Sequence, residues 1–190
     1  MYSFTVNKKH HMKNILFLCL VITLGIESVK AQRKPRPSQK ATVSQFIAND
    51  HEIRIEYNRP VARGRVLFGE EGIIKYDKVW MPGANEATNI SFDQDVIING
   101  EFLEEGRYSM WTIPGENEWE IIFSKDWDQW HTRYPGEEED ALRLFITPQE
   151  GSHMEVLAYY FSLVTDSSTT LNLHWGTLII PIKIELSEEG

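Results

Sequence analysis

Residues 96–103 read VIINGEFL: Val96-Ile97-Ile98, then Asn99-Gly100, then Glu101-Phe102-Leu103. Asn-Gly is the dipeptide that most readily supplies the two positive φ angles of a type I′ turn, and apolar residues flank it on both sides. The segment reads as a tight β-hairpin.

Outward from this hairpin the hydrophobic period stays at two. Upstream, Ile53, Ile55 and Tyr57 alternate with Glu52, Arg54 and Glu56, and Thr88, Ile90 and Phe92 repeat the pattern, so one side of each strand faces inward and the other faces water. Downstream, residues 107–113 and 119–123 flank Pro114-Gly115-Glu116-Asn117, turn chemistry that predicts a second hairpin. Residues 142–146, 154–164, 169–175 and 178–186 complete a set of about ten short strands, with breaks at 148–152, 166–168 and Gly176. This spacing predicts an all-β domain, an antiparallel β-sandwich or open barrel. Pro181 is expected to put the last strand at an edge or a bulge, and residues 137–142 to form at most one helical turn.

The N-terminal residues read as a targeting signal. Lys13 supplies a positive flank, residues 15–26 an apolar run, and Val29-Lys30-Ala31 a cleavage site, so residues 1–31 are expected to be removed, with Met12 as an alternative start. The run is shorter than the roughly 20 apolar residues of a membrane span, and no membrane anchor is expected in the mature chain. Export to the periplasm or beyond the cell follows. Cys19, the sole cysteine, goes with the signal, which excludes a disulfide framework and thiol catalysis. Residues 32–40, QRKPRPSQK, are basic and proline-containing and read as a flexible lead-in, leaving residues 41–187 as one β domain.

The full chain has 19 basic and 28 acidic residues; loss of Lys8, Lys9, Lys13, Lys30 and Glu27 leaves 15 and 27, a formal charge of −12. Nucleic acid is excluded as a partner on this balance.

Glycine-rich phosphate loops, Gly-x-Ser-x-Gly, paired metal-spaced histidines and Cys-x-x-Cys are all absent, so no catalytic residue, metal or cofactor is assigned. Three loops carry candidate binding residues. Arg59, Arg63 and Arg65 place three guanidinium groups within seven residues, suited to carboxylate, phosphate or sulfate, or else to the protein's own carboxylates. Trp80 to Thr88 joins small residues to Asn85, Glu86 and Thr88, which would bind a polar ligand or form a closed network, with Glu86 meeting an arginine. Residues 126–134 carry Trp127, Trp130 and Tyr134 beside His131, either a stacking surface for sugar rings or a hydrophobic plug over an open end of the sandwich.

These segments together resemble the family known as domain of unknown function 2911, common among exported proteins of the Bacteroidetes group. The resemblance rests on Arg59-Pro60, Gly64-Arg65, Phe68-Gly69, Val79-Trp80, Gly83-Ala84-Asn85-Glu86-Ala87-Thr88, Gly106-Arg107-Tyr108-Ser109, Ile113-Pro114, Trp119 and the Trp130 to Tyr134 stretch with Asp140. It spans roughly residues 37–186. Met81 after the tryptophan and His131 after Trp130 depart from the arginine and glycine expected there. The resemblance implies export and a β fold and supplies no reaction.

Three functions compete. The first is a periplasmic or cell-surface module binding a glycan or other small polar ligand through Arg59, Arg65, Asn85, Glu86, Thr88, Trp130 and Tyr134, which should then line one concavity. The second is a structural or interaction domain whose partner is another envelope protein. The third, and least supported, is a carbohydrate hydrolase using Glu86 with a second carboxylate such as Asp140, roughly 5–9.5 Å away.

Overall fold

The computed structural model describes residues 34–187; the signal peptide expected over residues 1–31 and the alternative start at Met12 lie outside the described residues. Ten strands are present: β1 (Gln39–Ile47), β2 (His51–Arg59), β3 (Asn89–Phe92), β4 (Val96–Ile98), β5 (Glu101–Leu103), β6 (Gly106–Pro114), β7 (Trp119–Ser124), β8 (Asp140–Ile146), β9 (Gln149–Ser162) and β10 (Ser168–Leu186). They form two antiparallel sheets, a larger one in the order β1-β2-β3-β6-β7-β8 and a smaller one in the order β5-β4-β10-β9. The architecture is the open, all-β sandwich that the period-two pattern implies. Ile53, Ile55 and Tyr57 of β2 are buried in the shared core with Ile90, Met110, Ile121 and Phe123, facing Leu171, Leu173, Ile182 and Ile184 of β10. Among the described residues the one helical turn is a 3-10 turn at Glu137–Glu139.

The Asn99-Gly100 turn has φ of 50° and 94°, and it sets Val96 opposite Leu103. Asn99 also locks the hairpin to β10, its Oδ1 accepting the Lys183 N–H at 2.8 Å and its own N–H donating to the Lys183 carbonyl at 3.0 Å. A Cβ at Gly100 would meet nothing within 4 Å, so only backbone strain opposes it. Gly100→Ala is expected to lower stability by about 1 kcal/mol, read as a lower urea midpoint; an unchanged midpoint would mean that the turn relaxes to another geometry.

Three strands differ from the sequence expectation, one of them β9, which begins at Gln149 inside the stretch 148–152 read as a break. β1 begins at Gln39, inside the stretch read as a lead-in, and pairs with β2 through its whole length. Its inward residues Ala41 and Val43 are small and only half-buried, which left too weak an alternation to read. Residues 168–186 form one strand where two were expected, because Gly176 (φ 61°) is absorbed as an irregularity in the pairing with β9. Pro181 lies at neither an edge nor a bulge. It falls between the part of β10 paired with β9, ending at Ile179, and the part paired with β4, starting at Ile184, where its missing N–H interrupts neither ladder.

The irregular stretch between β2 and β3 serves the core at one point and leaves it at another. Phe68 meets Trp119 at 5.1 Å, and Trp80 stacks on Trp175 at 6.1 Å. Trp80 then exchanges backbone bonds with Thr112 of β6, and the Met110 N–H of the same strand donates to the Thr88 carbonyl. Residues 81–87 between these two tethers leave the ladder and place Met81 and Ala87 against Trp111 and Ile122. These last two side chains alternate with core residues Met110 and Ile121 and so point to the outer face of the larger sheet. A second, small apolar cluster forms there, outside the main core.

Candidate functional site

The outer cluster is a platform for two loops. Residues 81–87 pair with residues 129–131 much as strands do: Ala87 N–H donates to the Gln129 carbonyl at 2.8 Å and His131 N–H to the Asn85 carbonyl at 2.9 Å, with Glu86 opposite Trp130. Asn85 takes φ of 64°, a left-handed conformation that asparagine tolerates better than most residues. His131 Nδ1 lies 2.8 Å from the same Asn85 carbonyl; a carbonyl can only accept, so the Nδ1 atom carries the proton.

Glu86 stands at the centre of a polar cluster. Arg36 donates from Nη1 to Oε1, and Asn58 of β2 donates from Nδ2 to Oε2 at 3.1 Å. The bond from Arg36 holds the Glu86 carboxyl below the usual carboxylate range, against a smaller opposing effect of burial. The same guanidinium sits 5.7 Å over the Trp130 ring, and Asn85 Nδ2 donates to the Ser38 carbonyl at 3.2 Å. Alongside, the Arg107 guanidinium lies 4.1 Å over the Trp127 ring while bonding Glu56 at 3.0 Å and Asn89 Oδ1 at 3.1 Å. Trp127 and Trp130 remain 40% and 46% exposed. The surface therefore presents two held but accessible indoles, each with a guanidinium over it, beside carboxylate and amide groups.

Of the seven residues expected to share a concavity, Asn85, Glu86 and Trp130 come together here. Thr88 lies beneath them, fully buried, with its hydroxyl donating to the Pro82 carbonyl at 3.0 Å; it is a fastening and touches no open surface. Tyr134 turns away onto Trp111, ring centroids 5.5 Å apart, and bonds Asp140 and Arg143. Neither exposed tryptophan folds back as a hydrophobic plug; Tyr134 packs on the outer-face cluster instead. Arg59 follows Asn58 on β2 and points to the opposite face, where its Nε donates to the Leu157 carbonyl of β9 at 3.1 Å. Arg65 folds onto its own turn, donating to the Ala62 and Val61 carbonyls at 2.8 and 2.6 Å. Among the described residues, Arg59, Arg63 and Arg65 form no side-chain ion pair, although the Glu155 carboxylate accepts the Arg63 N–H and lies near Arg65; Glu86 does meet an arginine, from the lead-in.

Glu86 and Asp140, the carboxylates named for a hydrolase, sit in two separate arginine networks. Glu86 precedes β3, whereas Asp140 opens β8, three strands further across the sheet. Each carboxylate is moreover bonded to an arginine. Among the described residues no group of three or more His, Cys, Asp or Glu is placed to hold a metal.

A family model described as a protein of unknown function, DUF2911, matches residues 38–184. The chain belongs to the DUF2911 family. The matched span begins one residue before β1 and ends within β10, and so contains both sheets and both loops. No curated protein and no solved structure matches the chain. Among the segments that carry the DUF2911 resemblance, Asn85-Glu86 and Trp130 are brought into contact at the loop face, and Phe68, Trp80 and Trp119 within the core. Arg36, Asn58, Glu56 and Arg107 were missed as members of the surface. Arg36 stood in a stretch read as a linker, and Glu56 and Arg107 read as ordinary outward residues of amphipathic strands.

Proposed function

We propose that this DUF2911 member is an exported binding module whose outer loop face takes a glycan or another small polar ligand. The observation that carries this reading is the pair of exposed indoles, Trp130 fixed by backbone pairing between residues 85–87 and 129–131 and Trp127 lying under the Arg107 guanidinium. Rigid aromatic faces cost little entropy to use, and the adjacent Glu86 carboxylate, half-exposed, offers an acceptor to hydroxyl groups. Arg36 and Arg107 each cover one face of an indole, leaving its other face or its edge for a sugar ring.

A thermal-shift screen against envelope glycans and peptidoglycan fragments tests the reading. A ligand at a hundred times its dissociation constant stabilises by about 2.7 kcal/mol. Trp130→Ala is expected to abolish that shift while leaving the melting temperature of the free protein nearly unchanged, because Trp130 lies outside both apolar clusters.

A second reading draws on the same arginines. Because each indole already carries a guanidinium and Glu86 is bonded on both oxygens, the network is self-sufficient and suits an interaction domain that meets another envelope protein. A screen with no shift for any glycan would favour it over the binding module.

A further inference from the structure

We propose that the cavity beside the Arg63-Gly64-Arg65 turn binds an oxyanion, so that the glycan taken by this module is an acidic one, bearing sulfate or carboxylate groups. The proposal deepens the binding-module reading and rests on it for the uncharged part of the ligand; the anion site itself stands on separate residues.

The cavity encloses about 420 Å³ and is lined by Pro37, Ser38, Pro60, Val61, Arg63 and Arg65. Its floor is fixed to the smaller sheet. Ala62 N–H donates to the Glu155 carbonyl and Leu157 N–H to the Pro60 carbonyl, at 2.8 and 2.9 Å, so residues 60–62 run along β9. Arg65 spends Nε and Nη2 on the carbonyls of Ala62 and Val61. Its planar head is thereby held in one orientation, with Nη1 left over. Arg63 engages no carboxylate or carbonyl through its side chain among the described residues. Glu155 is the neighbouring acid, and its two oxygens are taken by the Arg63 N–H at 2.7 Å and by His153 at 3.0 Å.

Arg63 and Arg65 are both exposed at one cavity and, among the described residues, neither forms a side-chain ion pair, although the Glu155 carboxylate lies near enough to feel the Arg65 charge; two like charges held side by side favour an anion that joins them. A guanidinium with an already fixed head loses little freedom on meeting a sulfate or carboxylate, which makes such contacts selective as well as strong. The site also adjoins the loop face. Pro37 and Ser38 line the cavity, Ser38 accepts from Asn85, and Arg36 reaches Glu86 and Trp130. One polymer chain could therefore place an acidic group at Arg63 and Arg65 and a neighbouring ring at Trp130.

The test is binding of the purified protein to dextran sulfate, polygalacturonate and neutral dextran at one fixed ionic strength. Binding to at least one acidic polymer is expected, and which one it is separates sulfate from carboxylate. Arg63→Gln, which removes no intramolecular side-chain bond, should weaken that binding roughly tenfold. Lys183→Gln, an exposed cation on β10, should not, which separates a site from general attraction to polyanions. Arg65→Gln should act at least as strongly, but it also loosens the turn, so the Arg63 variant decides. Absence of binding to both acidic polymers, or binding indifferent to Arg63→Gln, overturns the anion site. Loss on Arg63→Gln with no effect of Trp130→Ala would instead keep the anion site and remove the loop face from the ligand.

Discussion

Trp111→Ala is expected to lower the unfolding free energy by about 3–5 kcal/mol, the range for truncating a large buried aromatic. Trp111 is 1% exposed, yet it lies outside the main core, on the outer face of β6 with Met81, Ala87 and Ile122. Its Nε1 donates to Ser109 Oγ at 2.9 Å, and that hydroxyl donates to the Asp126 carbonyl at 2.8 Å. The indole thus supports residues 81–87 from below and reaches the start of the 126–134 loop through one hydroxyl. Its removal leaves both loops without a floor, so ligand binding should fall with stability. Trp111→Phe keeps most of the apolar contact and loses the hydrogen bond, and should cost nearer 1–2 kcal/mol. Urea unfolding of the two variants checks this; a loss below about 1 kcal/mol for Trp111→Ala would show that the loops are held by their mutual backbone pairing alone.

The platform explains why the fold was more legible than the site. The VIINGEFL hairpin, the alternation of β2 and the Pro114-Gly115 turn each depend on neighbours in sequence, and each stands where local reasoning put it. The site depends on which outward strand residues meet which loop. Asn58 and Glu86 are 28 positions apart and Arg36 and Glu86 are 50 apart, and no local pattern distinguishes Asn58, facing a loop, from Arg59, facing β9. The seven-residue binding set therefore divides into a loop-face group (Asn85, Glu86, Trp130), the buried fastening Thr88, Arg59 held to β9, Arg65 on its own turn, and Tyr134. Arg36 was the hardest to see, since a stretch rich in proline and basic residues has the composition of a linker until a carboxylate and an indole are placed opposite it.

Tyr134 belongs instead to a structural network whose disruption should be costly and whose pH dependence has a defined sign. Asp140, with its side chain 6% exposed, accepts on Oδ2 from Arg143 Nε at 2.7 Å and from the Tyr134 hydroxyl at 2.5 Å. Arg143 also bonds Glu120 at 2.9 Å. Arg143→Ala leaves two poorly solvated carboxylates without their cation and should cost about 3 kcal/mol, the low end for a broken buried pair because Arg143 is itself 29% exposed. Burial, followed by the bond to Asp140, pushes the Tyr134 hydroxyl up to about 12 from its ordinary value of 10. The folded state therefore keeps a proton that the unfolded chain releases between pH 10 and about 12. The associated stabilisation is complete below pH 10 and is lost as the pH rises through that window. Burial raises Tyr108 and Tyr159 in the same direction, so the unmodified protein should lose stability steeply above pH 10. Tyr134→Phe should flatten that loss in part while lowering stability at pH 8 by about 1 kcal/mol for the missing hydroxyl. Urea midpoints at pH 8 and pH 11 for both proteins decide it, and an equal alkaline loss in the two would mean that the Tyr134 hydroxyl is solvated and titrates like a free phenol.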